Sequence, residues 1–347
     1  MRTRSSRAQD QRFVVQEHQA TGGQPDWLDP QLATLTKDRF SGPGWLFERK
    51  LDGERCLTFR ADGQLRLETR NRHPITGTFP ELAAALAKRL PADCILDGEI
   101  VAFDHGQTSF ARLQGRLGVA HPGQALRREI PVRYYLFDVL YLDGQDLRPR
   151  PLRERKRILR WLLSYRDPLR FTGHRLHDGE AYWQYACRHG WEGVIAKRAG
   201  APYRSGRSRD WLKFKCENAQ EFVIGGYTDP QGSRSGLGAL LLGYYDPGGV
   251  LAYAGKVGTG FDQRTLRALH SALAPLERDR PPFGRGELPR PRGVHWVEPR
   301  LVGQVGFTEW TRDGQLRHPR FQGLRDDKEP DEVVREIPAA ASGRDRG

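Results

Sequence analysis

Lys50 lies in the run Trp45-Leu-Phe-Glu-Arg-Lys-Leu-Asp-Gly-Glu-Arg-Cys56, where apolar residues lead into charges and Asp52-Gly53 signals a turn. In extended backbone Glu48 and Lys50 project from one face, Phe47 and Arg49 from the other. A lysine among carboxylates can form an ordinary surface ion pair, worth under roughly 1 kcal/mol. It can also be a nucleophile, whose amine must lose its proton and whose pKa must drop below about 10.4. Neighbouring carboxylates act the other way, so a nucleophilic Lys50 requires positive charge from elsewhere in the chain. Trp211-Leu-Lys-Phe-Lys215 supplies a candidate, because its alternation puts Lys213 and Lys215 on one strand face. Two like charges side by side suit an anion such as phosphate between them, or else guard an exposed strand edge.

Three more segments carry polar chemistry in apolar surroundings. Ile95-Leu-Asp-Gly-Glu-Ile-Val101 sets Asp97 and Glu99 inside a strand pattern, a costly place for unpaired carboxylates. Trp191-Glu-Gly-Val-Ile-Ala-Lys197 puts Glu192 just before another strand, where a hard cation could use it. Tyr134-Tyr-Leu-Phe-Asp-Val-Leu140 is an aromatic strand, as fit for a core as for a ligand platform. No G-x-x-x-x-G-K-[ST] loop occurs, and the Gly255 to Gly260 run is too loose for a dinucleotide fingerprint.

These residues need a framework. Strands are expected at WLFERK, RCLTFRA, QLRLETR, CILDGEIVAFD, VRYYLFDVLYLDG, GVIAKR and WLKFK. Helices are expected at PELAAALAKRL, LRERKRILRWLLSY and DGEAYWQYACRHG. Strands and helices mixed without strict alternation indicate an α+β domain. After Glu217 short strands follow one another between Gly, Asp-Pro and Asp-Gly turns, with one helix at RTLRALHSALAPLE. That pattern suits a small β-barrel of the OB type. The expected division is a tail over 1–25, a first domain over 26–219, an OB-fold domain over 220–330 and a tail over 331–347.

The 347 residues carry a formal net charge of +13, which points to a polyanionic partner, nucleic acid above all. The arginine-rich tract from Arg148 to Arg170 and the loop Arg204 to Arg209 are either contact surfaces or solvated faces. Four scattered cysteines without C-x-x-C spacing predict neither a zinc site nor a disulfide framework, as in a reducing cytoplasm. No apolar run long enough for a membrane span and no secretory h-region is present.

Taken in order, the segments resemble the signature of the covalent nucleotidyltransferases, the ATP-dependent DNA ligases and mRNA capping enzymes. The K-x-D-G-x-R element stands as Lys50, Asp52, Gly53 and Arg55, followed by LDGEIV, YYLFDVL, EGVIAKR, WLKFK and LRHPRFQGLRDDK. KVGTGF, APLERD and RGVHWVEPRLVGQVGFTEWTRDG are similar to the ligase domain of bacterial ligase D, the enzyme of non-homologous end joining. That family usually fuses the ligase to polymerase and nuclease domains, which this chain is expected to be too short to hold. The helical DNA-binding domain of larger eukaryotic ligases is likewise expected to be missing. One departure is Thr69-Arg-Asn-Arg72, where the family pattern ends in glycine; it bears on the loop shape and not on Arg70.

The resemblance implies a nucleotidyltransferase (adenylation) domain with a C-terminal OB-fold, using ATP and Mg2+ or Mn2+. It implies that Lys50 attacks the α-phosphate of ATP and carries AMP. Glu48 would read the adenine amino group and Phe137 stack on the purine. Arg55 and Glu99 would hold the ribose or the DNA 5′-phosphate, and Arg70 would join the phosphate contacts. Glu192 would bind the metal and Lys213 and Lys215 the α-phosphate, while Arg325, Asp327 and Lys328 would orient pyrophosphate. The implied substrate is nicked or broken duplex DNA. A Ku-type end-binding protein and separate polymerase and nuclease partners are further expectations, as are a monomeric state, no membrane contact, and a bacterial cytoplasmic, nucleoid-associated location. An RNA ligase or capping-type enzyme and a non-catalytic DNA-end-binding module are the competing readings. Neither Arg49 nor Lys197 receives a role.

Overall fold

The computed structural model describes residues 23–230, 236–290, 292–325 and 327–338. Most of the expected N-terminal tail and the end of the C-terminal one fall outside them. Strand exceeds helix throughout.

Two sheets form the first part of the chain. One runs in the order Gln31–Leu35, Gly206–Lys215, Gly193–Arg198, Gly42–Lys50, His174–His177. The other runs Gln64–Thr69, Glu54–Ala61, Cys94–Asp104, Val132–Leu142, with short strands at its rim. Leu57, Phe59, Ile95, Phe137 and Leu140 of the second sheet pack with Trp211 of the first. The outer face of the second sheet is closed by helices Pro80–Arg89 and Leu152–Leu162, through Leu82, Leu86 and Leu159. Helix Gly179–Arg188 closes the outer face of the first, where Phe47, Val194 and Phe214 meet Tyr182 and Ala186.

This layering explains the charges around Lys50. Because alternate residues of a strand face opposite ways, burying Phe47 under the helix sends Glu48 and Lys50 toward the second sheet. The chain then leaves the first sheet at Lys50 and enters the second at Glu54. Gly53 makes that crossing possible: a Cβ there would fall 2.2 Å from the Ile100 carbonyl oxygen. Asp52 fixes the same turn, its Oδ2 accepting from the Phe110 amide at 3.0 Å.

A third sheet holds the C-terminal part, in the order Leu251–Val257, Leu240–Tyr245, Asn218–Thr228, Val294–Phe307, with Arg320–Leu324 beside the last. The Phe321 amide donates to the Thr259 carbonyl at 2.9 Å, which brings the two ends of this path together. Helix Gln263–Leu273, capped by Asp262, buries Leu266, Leu269 and Leu273 in the same core.

Four expectations change. Cys187 and Cys216 form a disulfide, their Cα atoms 5.2 Å apart. Spacing along the chain concealed this because helix Gly179–Arg188 lies on the sheet that ends at Lys215. The cysteine pattern therefore gives no ground for a reducing compartment. Residues 331–338 are not a loose continuation: Val333 is buried and accepts at its carbonyl from the Tyr245 amide at 2.7 Å. Within the tract from Arg148, Arg155 and Lys156 point inward, Arg155 pairing with Asp138 at 2.8 Å with both side chains buried. Arg153, Arg157 and Arg160 of the same helix are exposed. The Arg204 to Arg209 loop is partly strand, with Arg207 donating to the Ala33 carbonyl at 2.7 Å. No helix among the described residues is long and apolar enough to cross a membrane.

Candidate active site

Strand register assembles the site. Gly193 pairs with Lys50 on one side and Lys215 on the other, and Ile195 pairs likewise with Glu48 and Lys213. Neighbouring strands lie about 4.8 Å apart, so these four side chains sit on one sheet face with roughly 10 Å between the outer pairs. They line a cleft of about 490 Å³ that also takes in Arg55, Arg70, Glu99, Phe137, Glu192 and, from the C-terminal part, Arg325, Asp327 and Lys328. All twelve residues expected from the sequence thus meet in one place.

At one end Glu48 is almost fully buried between two ammonium groups. Lys156 Nζ reaches its Oε1 at 2.5 Å and Lys197 Nζ its Oε2 at 2.7 Å. Burial alone would raise the Glu48 pKa, but the two lysines outweigh it and the net shift is downward. The Lys197 ammonium is pushed down by its own burial, with Lys156 adding to the effect. It also lies 4.1 Å from the Phe137 ring centroid and 3.9 Å from that of Trp211, geometry suited to cation–π attraction. Arg55 stacks over Phe137 at 4.6 Å and binds Asp97 through two 2.6 Å hydrogen bonds. Tyr203 completes Asp97 with a 2.7 Å bond from its hydroxyl.

In the middle Lys50 Nζ stands 2.5 Å from Glu192 Oε2. Burial works to lower the Lys50 pKa, but Glu192, helped by Asp52 and Glu99, carries it above the ordinary lysine value. This overturns the expectation that Lys213 and Lys215 depress it, because both of those lysines spend their charge elsewhere. Glu99 is itself pushed up to about 7 by burial, against the pull of Arg55, Lys50 and Arg325. Glu54, a buried neighbour unforeseen in the sequence, is driven well above the usual carboxylate range by burial and then by Asp327.

At the far end the cations meet carboxylates from the C-terminal part. Glu336 pairs with Lys213 and, at 3.0 Å, with Lys215. Burial and the adjacent Lys215 lower the Lys213 pKa to about 8, and the two lysines hold Glu336 down at about 2 against its burial. Arg70 pairs with Glu332. Arg325 grips Asp327 through two 2.7 Å bonds and lies 4.2 Å over the Phe110 ring. Lys328 stands 3.6 Å from Glu221, and the Asn71 amide donates to the Asp327 carbonyl at 3.1 Å. Arg72 adopts a φ of +65°, a conformation glycine takes freely, and spreads over the Trp27 ring at 4.9 Å. Arg49, assigned no role, lies on the opposite sheet face with its guanidinium 4.4 Å over Trp191.

Among the described residues no three His, Cys, Asp or Glu side chains converge as a metal cage. A magnesium ion does not need one, since it keeps several waters and binds through one or two carboxylates plus substrate phosphates. Glu192 offers a hard oxygen ligand of that kind. Lys156, Glu221 and Glu336 are among the site residues that sequence reasoning missed, with Glu54 and Glu332. Lys156 was hidden in a basic tract, and Glu221 and Glu336 lie outside the recognised segments.

Comparison with known proteins bears on the chemistry. Residues 30–215 match the family model described as ATP dependent DNA ligase domain, and residues 233–328 the one described as ATP dependent DNA ligase C terminal region. The Multifunctional non-homologous end joining protein LigD of Pseudomonas aeruginosa is 43% identical over 321 residues, 91% of this chain and 37% of that protein. The Multifunctional non-homologous end joining DNA repair protein LigD of Mycobacterium tuberculosis is 40% identical over 321 residues, 90% of this chain and 40% of that protein. The chain thus spans about two fifths of the length of these curated relatives. A solved structure, mycobacterial DNA ligase D complexed with ATP and MES, superposes with a TM-score of 0.65 at 38% identity, covering 89% of this chain and 98% of that one.

Proposed function

The chain belongs to the ATP-dependent DNA ligases, and from that premise we propose that it joins a 3′-hydroxyl to a 5′-phosphate in duplex DNA through an AMP carried on Lys50. The observation that carries this reading is the shared sheet face on which Glu48, Lys50, Lys213 and Lys215 line one cleft with Glu192.

In the first step the free Lys50 amine attacks the α-phosphorus of ATP. A P–N bond forms, the bond to the bridging oxygen breaks, and pyrophosphate leaves. Lys50 must first part from Glu192, whose carboxylate holds it protonated, and give its ammonium proton to solvent; the nitrogen sheds a second proton to solvent as the P–N bond forms. A bound Mg2+ or Mn2+ ion supplies charge neutralisation at the phosphates, and Glu192 is the residue to hold it. Glu48 takes the adenine amino group, Phe137 the purine face, and Arg55 and Glu99 the ribose. Lys213, Lys215 and Arg70 bear the phosphate charge, while Arg325, Asp327 and Lys328 orient the departing pyrophosphate. Fixed cations around a transferring phosphoryl group act mainly by positioning and charge stabilisation. A DNA 5′-phosphate oxygen then displaces Lys50 from the AMP phosphorus. The 3′-hydroxyl finally attacks the activated 5′-phosphate and releases AMP.

Relatives named for non-homologous end joining support a role in double-strand break repair. The net charge of +13 fits a duplex partner, since phosphate contacts dominate such affinity. Nick sealing with ATP and Mg2+ tests the reading: wild type should close a nicked duplex and Lys50→Ala should not. Sealing that survives Lys50→Ala would refute it.

A further inference from the structure

Thr172 sits between strands Leu169–Phe171 and His174–His177, only 4% exposed, and lines the cleft beside Glu48, Phe137 and Lys197. Its hydroxyl oxygen is buried without a hydrogen-bond partner in the protein. Buried hydroxyls are almost always paired, so an unpaired one on a residue that lines a cleft is a candidate for pairing with a ligand. Its backbone, by contrast, is fixed at both ends. The Thr172 amide donates to the Leu136 carbonyl at 2.8 Å, and the Thr172 carbonyl accepts from Lys156 Nζ at 2.7 Å. That same ammonium binds Glu48 Oε1 at 2.5 Å. One buried lysine therefore joins the Thr172 carbonyl and the Glu48 carboxylate, fixing the residue that carries the unpaired hydroxyl beside Glu48.

We propose that Thr172 is a further base-reading residue and that Lys156 is the positioning residue which sets it beside Glu48 to select a 6-aminopurine. The inference rests on the reading of Glu48 as the contact for the adenine amino group. A carboxylate held ionised by Lys156 and Lys197 only accepts hydrogen bonds, so it takes a 6-amino group and repels a 6-oxo group. The Thr172 hydroxyl can donate to a ring nitrogen flanking that amino group, N1 or N7. Purines with the amino group and that acceptor nitrogen gain both bonds, and 6-oxopurines lose the first.

The test is the kinetics of lysyl-AMP formation with ATP, 1-deaza-ATP, 7-deaza-ATP and inosine triphosphate. Because the Thr172 hydroxyl has no partner in the protein, Thr172→Val leaves no broken internal bond behind. It should raise KM for ATP about tenfold, the size of one lost hydrogen bond, with the change falling on KM rather than kcat. One of the two deaza analogues should cost wild type a similar factor and cost Thr172→Val nothing further. Lys156→Met should cut the preference for ATP over inosine triphosphate about tenfold, and Lys156→Arg should restore it. A merely structural lysine would lower stability in both variants and leave that ratio unmoved. Undiminished deaza penalties in Thr172→Val, or an unchanged ratio in Lys156→Met, overturn the inference while wild type still forms its adenylate. A wild type that forms no adenylate from ATP overturns the ligase reading and this inference with it.

Discussion

At one end of the cleft Glu48 is enclosed by Lys156 and Lys197, whereas at the other Lys213, Lys215 and Arg70 draw their counter-charges from Glu336 and Glu332. The first set comes wholly from the two-sheet part of the chain, from strands Gly42–Lys50 and Gly193–Arg198 and helix Leu152–Leu162. The second joins strand Gly206–Lys215 and the turn at Arg70 to a segment beyond the last strand of the C-terminal sheet. Buried charges must be matched wherever they lie. The Glu48 end is matched by neighbours from its own part of the chain. The phosphate end is matched by carboxylates that an incoming polyanion can replace, charge for charge. On the proposed roles, adenine binding would leave the Glu48 ion pairs in place, while phosphate binding would require Glu332 and Glu336 to let go.

The largest effect separating the two ends should be on stability. Glu48→Ala leaves two buried lysines facing each other and should cost about 3–5 kcal/mol, read from denaturant unfolding. Glu336→Gln should cost far less, because Lys213 can shed its proton at about pH 8. Equal losses at the two positions would abolish the distinction. In adenylation kinetics Glu336→Gln should have the opposite consequence, lowering KM for ATP about threefold to tenfold, near 1 kcal/mol. A raised KM would show instead that Glu336 helps to hold the nucleotide.

A third distinction is visible in pH. Glu99 has an ordinary pKa of 4.5 and a folded value of about 7. Between those values the folded chain binds more protons than the unfolded one, so this group makes stability fall as pH rises from about 4.5 to 7. Its contribution is complete below that window and gone above it. Across pH 4.5 to 7 the Glu99→Gln profile of unfolding midpoints should fall less steeply than that of wild type, with the remaining slope carried by groups such as Glu54 whose pKa is also raised. The smallest effect belongs to Glu332→Gln at the Arg70 pair, where Glu332 is 41% exposed. It should change stability by less than about 1 kcal/mol, within reach of a careful thermal melt.

Much of this was legible in the sequence because strand alternation is simple. Phe47 buried against Phe214 dictates where Glu48, Lys50, Lys213 and Lys215 point, and the ordered segments carried the family. Pairing was not legible. Lys50 and Glu192 meet through the register of Gly193, and a linear reading that set Lys213 and Lys215 against Lys50 gave the wrong direction for the lysine pKa. Lys156 looked like one more cation in an arginine-rich helix, although its neighbours Leu152, Arg155 and Leu159 mark the buried stripe. Glu336 carried no signal at all, since its role follows from how the C-terminal segment folds back over the cleft.

The central claim is that Lys50 becomes the AMP carrier once Glu192 lets it go. Peptide mapping by mass spectrometry after incubation with ATP and Mg2+ tests it most directly. A single AMP adduct is expected on the peptide containing Lys50, released by pyrophosphate and absent from Lys50→Ala. An adduct on another lysine, or one that persists in Lys50→Ala, would contradict it.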